Sequence, residues 1–170
     1  MILGDVLEFF NAYRVAFQHL TSFLLAAAIW RWGGGPERWL MGVFLATMVM
    51  PIYVIWALNL GAAEIGPYAG VIFGIDVIAA LLFTAIALNA NRNYPLWIAG
   101  FQLVALGAHA AQAMIDSVSA LAFVVLVIGP SYGQLLVLAL GFVRHRQRER
   151  RYGAYRDWRL FPPGLRWLRT

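Results

Sequence analysis

Apolar residues fill long stretches of the chain, and most polar residues fall in the short connections between them. A bilayer core about 30 Å thick is crossed by a helix of roughly 20 mostly apolar residues. Five stretches meet this requirement, and their short connections make neighbouring helices antiparallel. The predicted spans are residues 8–30, 39–60, 67–89, 95–115 and 117–143. The pattern therefore predicts an all-α integral membrane protein, a bundle of five transmembrane helices within residues 1–143.

Composition supports the same class of protein. Of the 170 residues, 62% are hydrophobic and 12% are charged, and the mean hydropathy is +0.70. A soluble domain carries about 25% charged residues. This composition excludes a soluble globular domain, a disordered chain and a nucleic-acid-binding module. Cysteine is absent, which excludes disulfides and thiolate chemistry.

The arginines indicate an orientation in the membrane. Arg31, Arg38 and Arg92 lie in the first and third connections, and residues 144–170 hold nine more arginines. Basic residues in short loops are retained on the cytoplasmic side. We therefore expect a multi-pass protein of a bacterial inner membrane, with its N-terminus outside and its C-terminus in the cytoplasm.

Residues 144–170 form a basic-aromatic cytoplasmic tail. A basic cluster beside a membrane attracts anionic lipid headgroups. The remainder of the tail alternates aromatic residues and arginines, and we expect it to lie on the membrane or to dock on a partner protein rather than on nucleic acid. The predicted headgroup contacts are Arg144, Arg146, Arg148, Arg150 and Arg151.

Small residues at steps of four predict close helix packing within the bundle. Such ridges occur in the third span and in the fifth, where Pro130 also predicts a kink or local break. Pro51 predicts a kink in the second span. The predicted packing residues are Gly66, Gly70, Gly74, Gly129 and Gly133.

Several polar side chains lie at membrane depth, where they are costly and usually face the bundle interior. Polar stripes run along the first and fourth helices, and the third helix carries one acid, Asp76. If these helices meet, Arg14 and Asp76 are within reach as an ion pair flanked by two histidines. The predicted intramembrane cluster is Arg14, Gln18, His19, Asp76, Gln102, His109 and Gln112.

This cluster admits four interpretations. It fixes the register of the helices through hydrogen bonds, or Asp76 and His109 relay a proton or coordinate a cation. His19 and His109 are alternatively the two axial ligands of a haem, although their predicted depths differ. A catalytic cluster for a lipid-like substrate is the fourth, but no recognised catalytic motif or metal-ligand spacing occurs.

The sequence thus favours a non-enzymatic protein without a cofactor or metal, an accessory, assembly or interaction subunit of a membrane complex. Its short loops leave lipid and other transmembrane helices as contacts, in a larger complex or a homo-oligomer. The alternative is a small ion, proton or solute pathway through the Arg–Asp–His cluster.

Overall fold

The computed structural model describes residues 2–58, 69–114 and 120–159, and within these ranges the fold is helical with no strands. The apolar pattern predicted helices in these five places, and the all-helical fold is confirmed. The bounds are Ile2–Trp32 for α1, Gly35–Ala57 for α2, Ala69–Asn89 for α3, Tyr94–Met114 for α4 and Ala120–Tyr152 for α5.

Two of the described helices, α2 and α3, are long and apolar enough to cross a membrane. Only 28% and 22% of their most apolar stretches are buried inside the protein. A core helix of a soluble protein is mostly buried, so the largely uncovered apolar faces of α2 and α3 are typical of helices that contact lipid. Membrane association is the coarse conclusion that these two helices support.

The helices pack around α4, which lies between α3 and α5. The N-terminal half of α2 packs on α3 and α5, and α1 lies at the periphery against α2 and α5. The side chains at the centre are large and apolar, and none is more than 1% exposed. They are Leu40, Met41, Phe44, Phe83, Ile98 and Leu138.

The glycines divide into those that permit close helix contact and those that do not. A Cβ added at Gly133 would lie 2.7 Å from the Phe101 ring, and one at Gly141 would lie 2.7 Å from the Tyr94 ring. These two positions let α5 approach α4.

The predicted contacts at Gly70, Gly74 and Gly129 are not found among the described residues, because a Cβ there would meet nothing within 4 Å. Helix α3 instead buries Ala79, Ala80 and Ala87. Gly66 lies outside the described residues.

We expect Gly141→Ala to lower the free energy of unfolding by about 1–3 kcal/mol, because overpacking forces a rigid neighbour to move. Tyr94 cannot shift freely, since its hydroxyl donates to Glu37 Oε1 at 2.8 Å. Gly129→Ala on the same helix is the control and should cost nothing, because its surroundings are open. Equal losses in a denaturant titration of the two variants in detergent would contradict this account.

The two prolines within helices have different outcomes. Helix α5 continues without a break through Pro130, so the predicted local break at residues 129–133 is not found. In α2 the turn before Pro51, Leu45–Val49, is π-helical. Because proline lacks an N–H and its ring crowds the preceding turn, the wider π-turn accommodates it.

Candidate functional site

Polar side chains of all five helices line one cavity of about 340 Å³. Apolar side chains of the π-turn region and α3, including Met48, Ile52 and Ile72, complete its wall. The polar residues of this cavity are Arg14, Gln18, His19, Thr47, Asp76, Gln102, His109, Ser131, Tyr132 and Gln134. We call this feature the polar cavity.

Asp76 is the acid of the polar cavity, and it interacts with two residues of α4. Its Oδ2 lies 3.2 Å from His109 Nε2, and its Oδ1 accepts a hydrogen bond of 3.0 Å from Gln102 Nε2. Gln102 and His109 are seven residues apart, which is two helical turns and therefore the same face of α4. The acid of α3 is thus held from two levels of one neighbouring helix.

Gln102 extends this network to α5. Its Oε1 accepts a hydrogen bond of 2.8 Å from Gln134 Nε2, which also lies 3.3 Å from the Ile98 carbonyl. Both glutamines are 1% exposed. The chain from Asp76 through Gln102 to Gln134 therefore links three helices by side-chain hydrogen bonds, and Gln134 is the member that the sequence analysis missed.

Helix α1 joins the polar cavity through contacts with α5. Gln18 Nε2 donates to Ser131 Oγ at 3.2 Å, and the Tyr132 hydroxyl donates to the Arg14 carbonyl at 3.1 Å. Ser131 and Tyr132 directly follow Pro130. The polar stripe of α1 is thereby attached to α5 rather than to α3.

The ion pair between Arg14 and Asp76, expected if their helices meet, is not found among the described residues. Both side chains line the polar cavity, but Asp76 faces His109, with 3.2 Å between its Oδ2 and the histidine Nε2. The packing order accounts for this, because α1 packs mainly on α2 and α5. The Arg14 Nε is buried without a hydrogen-bond partner.

The two histidines proposed as haem ligands have different surroundings. His109 faces Asp76, and its ring also contacts Phe73 edge-on at 6.0 Å between centroids. The ring of His19 lies 5.3 Å from that of Tyr53 on α2. No group of three or more metal-ligating side chains occurs within the described part of the chain. The side chain of Gln112 lies outside the described residues.

A second polar cluster lies at the opposite end of the described helices, centred on Arg92 in the α3–α4 connection. Its guanidinium pairs with Glu37 in the first turn of α2 and with Asp157 after α5. Glu37 is fully buried and Arg92 is 8% exposed. We call these three residues the Arg92 cluster.

In the sequence Arg92 indicated only the topology, and the Arg92 cluster was not predicted from it. The sequence does contain a signal for this cluster, because acidic residues are rare in the arginine-bearing segments of the chain. Glu37, Glu149 and Asp157 are the acids within or beside the arginine-bearing segments, and the structure places all three in ion pairs.

The chain after α5 folds back onto the bundle. Gly153, with φ of 77°, ends the helix in a left-handed conformation. Asp157 then accepts the Gly35 N–H at 2.8 Å through Oδ2 and the Asn91 N–H at 2.9 Å through its carbonyl. Residues 153–159 therefore dock on the protein's own connections, and residues 160–170 lie outside the described part.

The predicted headgroup arginines have unequal surroundings. Arg146 forms an ion pair with Glu149 at 2.7 Å, and the Arg148 guanidinium lies 4.1 Å from the centroid of the Tyr155 ring. Arg144, Arg150 and Arg151 are exposed. The five residues thus do not form a uniform basic surface.

His145 lies two residues beyond the end of the predicted fifth span and contacts the returning chain. Its Nδ1 is 2.8 Å from the Tyr155 hydroxyl. Burial, and next to it the charge of Arg92, lower the pKa of His145 below its usual value of 6.5, although Glu149 and Asp157 oppose the shift. The folded protein therefore favours the neutral imidazole.

This shift predicts an acid-sensitive contact. When the pH falls below about 6.5, the unfolded chain binds a proton at His145 more readily than the folded chain, so stability falls with pH. His145→Asn is neutral at every pH and should show a shallower fall. The midpoint of thermal unfolding measured from pH 7.5 to 5.5 gives both slopes, and parallel slopes would contradict the assignment to His145.

Comparison with known families, curated proteins and solved structures finds no match to this chain. The interpretation of the polar cavity and the Arg92 cluster therefore depends on their geometry alone.

Proposed function

We propose that this protein is a five-span protein of a bacterial inner membrane and a non-enzymatic accessory, assembly or interaction subunit of a membrane complex. Its N-terminus lies outside and its arginine-rich end in the cytoplasm. The five helices and the arginines of the connections support this topology. Trp30, Trp32, Trp39 and Trp97 are exposed near that end, as is typical of residues at the headgroup level.

The observation that carries the functional proposal is an apolar layer between the polar cavity and the Arg92 cluster. On α4 this layer lies between Tyr94 and Gln102. These residues are eight positions apart, which makes the layer roughly 12 Å thick at 1.5 Å per residue. The corresponding stretches of all five helices hold no ionisable side chain, and Thr84 is their one polar residue. These stretches are residues 23–30, 39–46, 77–88, 95–101 and 135–143.

A conduit for ions or protons needs polar groups or water along its whole length, since an unsolvated charge is costly in hydrocarbon. Buried Phe44, Phe83 and Leu138 fill the layer at the centre of the bundle. The polar cavity is thus closed toward the arginine-rich end. A cavity that is closed toward this end, and whose polar groups join α3, α4 and α5, suits a protein that holds a defined surface for partners.

The outward faces of the helices support the interaction role. Gly70 and Gly74 on α3 leave open space around their backbone among the described residues. Small residues four apart allow a second transmembrane helix to approach closely. No described residue of the bundle fills this space, so we propose that it receives another subunit or a second copy of the chain.

Native mass spectrometry of the protein, extracted gently from its own membranes, tests the proposal. The expected result is a complex with a different polypeptide, which Gly70→Leu and Gly74→Leu should weaken. Gly129→Leu, at an open position on α5, is the matched control. A homo-oligomer or monomer, found also after in-membrane cross-linking that precludes loss of partners, would overturn the accessory role.

A proton or ion pathway is the second candidate, and the pairing of Asp76 with His109 in the polar cavity favours it. Liposomes containing the purified protein and a pH-sensitive dye separate the two functions. The accessory role predicts proton flux equal to that of empty liposomes. Flux that Asp76→Asn abolishes and Gly74→Ala, two residues earlier on α3, retains would support the pathway instead.

A further inference from the structure

A second cavity, of about 310 Å³, opens beside the Arg92 cluster. It lies between the start of α4, the C-terminal part of α5 and the returning chain. Its walls include Asn93 and Tyr94 on one side, Arg144 and Arg148 on the other, and Tyr155 from the returning chain. We call it the basic cleft.

The basic cleft carries uncompensated positive charge. No carboxylate is among its described lining residues. Arg92 pairs with both Glu37 and Asp157, so these three residues together carry one negative charge. Arg144 and Arg148 form no ion pair with an acid of the described chain, and their two positive charges therefore leave the cleft and its neighbours with a positive excess. Arg146, which lies between them in the sequence, is instead paired with Glu149.

The basic cleft is also preorganised. The Arg148 guanidinium stacks on the Tyr155 ring, and the Tyr155 hydroxyl contacts His145. On the opposite wall, Asn93 Oδ1 accepts a hydrogen bond of 3.1 Å from Arg159. Arg144 and Arg148 lie one helical turn apart on α5, and two guanidinium groups at this spacing match the oxygens of a phosphate group.

We propose that the basic cleft binds a phosphate group through Arg144 and Arg148, and that an anionic lipid of the surrounding membrane carries this group. The choice of a lipid depends on the proposed function, which places this end of the bundle at the membrane surface. The phosphate chemistry does not depend on it. A discrete site differs from a basic surface that attracts headgroups through its net charge.

A pair of charge-matched variants distinguishes these two modes. Arg144→Gln removes one charge inside the basic cleft, and Arg150→Gln removes one charge two turns further along α5, outside it. The delipidated full-length protein in neutral detergent is titrated with short-chain phosphatidylglycerol and observed by native mass spectrometry. We expect Arg144→Gln to weaken binding about tenfold, as for a charge-assisted hydrogen bond, and Arg150→Gln to change it less than twofold. Equal weakening by both variants would overturn the discrete site.

Two further probes identify the source of the phosphate group. Diacylglycerol with the same acyl chains lacks the phosphate group and should not bind, and inorganic phosphate should bind more weakly than the lipid. If inorganic phosphate binds as tightly and displaces the lipid, the phosphate site stands and the lipid source is overturned. Equal binding of diacylglycerol and phosphatidylglycerol would overturn both.

A third variant tests the role of Arg148 without removing its charge. Arg148→Lys keeps the positive charge but lacks the planar fork of the guanidinium. We expect it to weaken phosphatidylglycerol binding while leaving the thermal unfolding midpoint close to that of the wild type. Unchanged lipid affinity in a folded Arg148→Lys protein would contradict a contact of defined geometry. None of these results depends on finding a protein partner, so the proposed function and the basic cleft can fail separately.

Discussion

Replacing Arg92 by alanine is expected to lower the free energy of unfolding by about 3–5 kcal/mol, because it leaves the buried carboxylate of Glu37 without a counter-charge. Glu37 is fully buried, and Arg92 is its ion-pair partner among the described residues. Arg92 also connects two segments that are far apart in sequence, the start of α2 and the chain after α5. Its loss should therefore release residues 153–159 as well as destabilise the bundle.

Arg38→Ala is the matched control for this prediction. Arg38 is exposed and lies one residue after Glu37, so its removal changes the net charge equally and should cost less than about 0.5 kcal/mol. Titration with a denaturing detergent, monitored by circular dichroism, measures both variants. Similar losses would show that total charge, and not the buried pair, determines stability.

A second substitution separates charge burial from lost packing. In the Arg92→Ala background, Glu37→Gln removes the uncompensated charge and keeps the volume of the side chain. We expect it to restore part of the lost stability, since a neutral amide is less costly to bury than a lone carboxylate. Further destabilisation by the second substitution would contradict this mechanism.

The helices of this protein were predictable because length and apolarity are local properties of the sequence. Helix α3 begins and ends within two residues of the predicted span at 67–89, and α4 within one residue of 95–115. Helix α2 begins at Gly35, four residues before the predicted span at 39–60, and Pro36 lies in its first turn, where proline is tolerated. Each of these features depends on neighbours a few residues away.

The contacts between helices were less predictable, because they depend on how each helix is rotated and on which helices are adjacent. The polar stripe of α4 indicated that Gln102 and His109 share a face, and both contact Asp76. Nothing in the sequence showed that α1 packs on α5 rather than on α3. For that reason the sequence suggested a pairing of Arg14 with Asp76 that the described residues do not show.

The glycine pattern failed for a related reason. A helix with glycines at steps of four has a flat face, but spacing does not tell whether that face turns inward or outward. A Cβ at Gly133 would meet the Phe101 ring, whereas a Cβ at Gly129, one turn earlier on α5, would meet nothing within 4 Å among the described residues. The neighbouring side chain on α4 decides the difference, and that side chain is far away in sequence.

Gln102→Leu is the substitution in the polar cavity with the largest expected effect, a loss of about 2–4 kcal/mol in the free energy of unfolding. Gln102 donates to Asp76 and accepts from Gln134. Leucine has a similar volume but can neither donate nor accept a hydrogen bond. Asp76 and Gln134 would therefore each lose a hydrogen-bond partner at a position where the native side chain is only 1% exposed. Because the residue links three helices, its loss should also loosen the packing of α3 against α4.

Gln147→Leu provides the control, since Gln147 is exposed on α5 and the same chemical change should alter stability by less than about 0.5 kcal/mol. A double-mutant cycle with Gln134→Leu then tests the network. If Gln102 and Gln134 act through their mutual hydrogen bond, the double variant should lose less stability than the sum of the two single losses. In the Gln102→Leu background Gln134 has already lost its hydrogen bond to residue 102 and keeps only the Ile98 carbonyl as acceptor. Strictly additive losses would show that the two glutamines act independently, and the network would then not be what holds α4 and α5 in register.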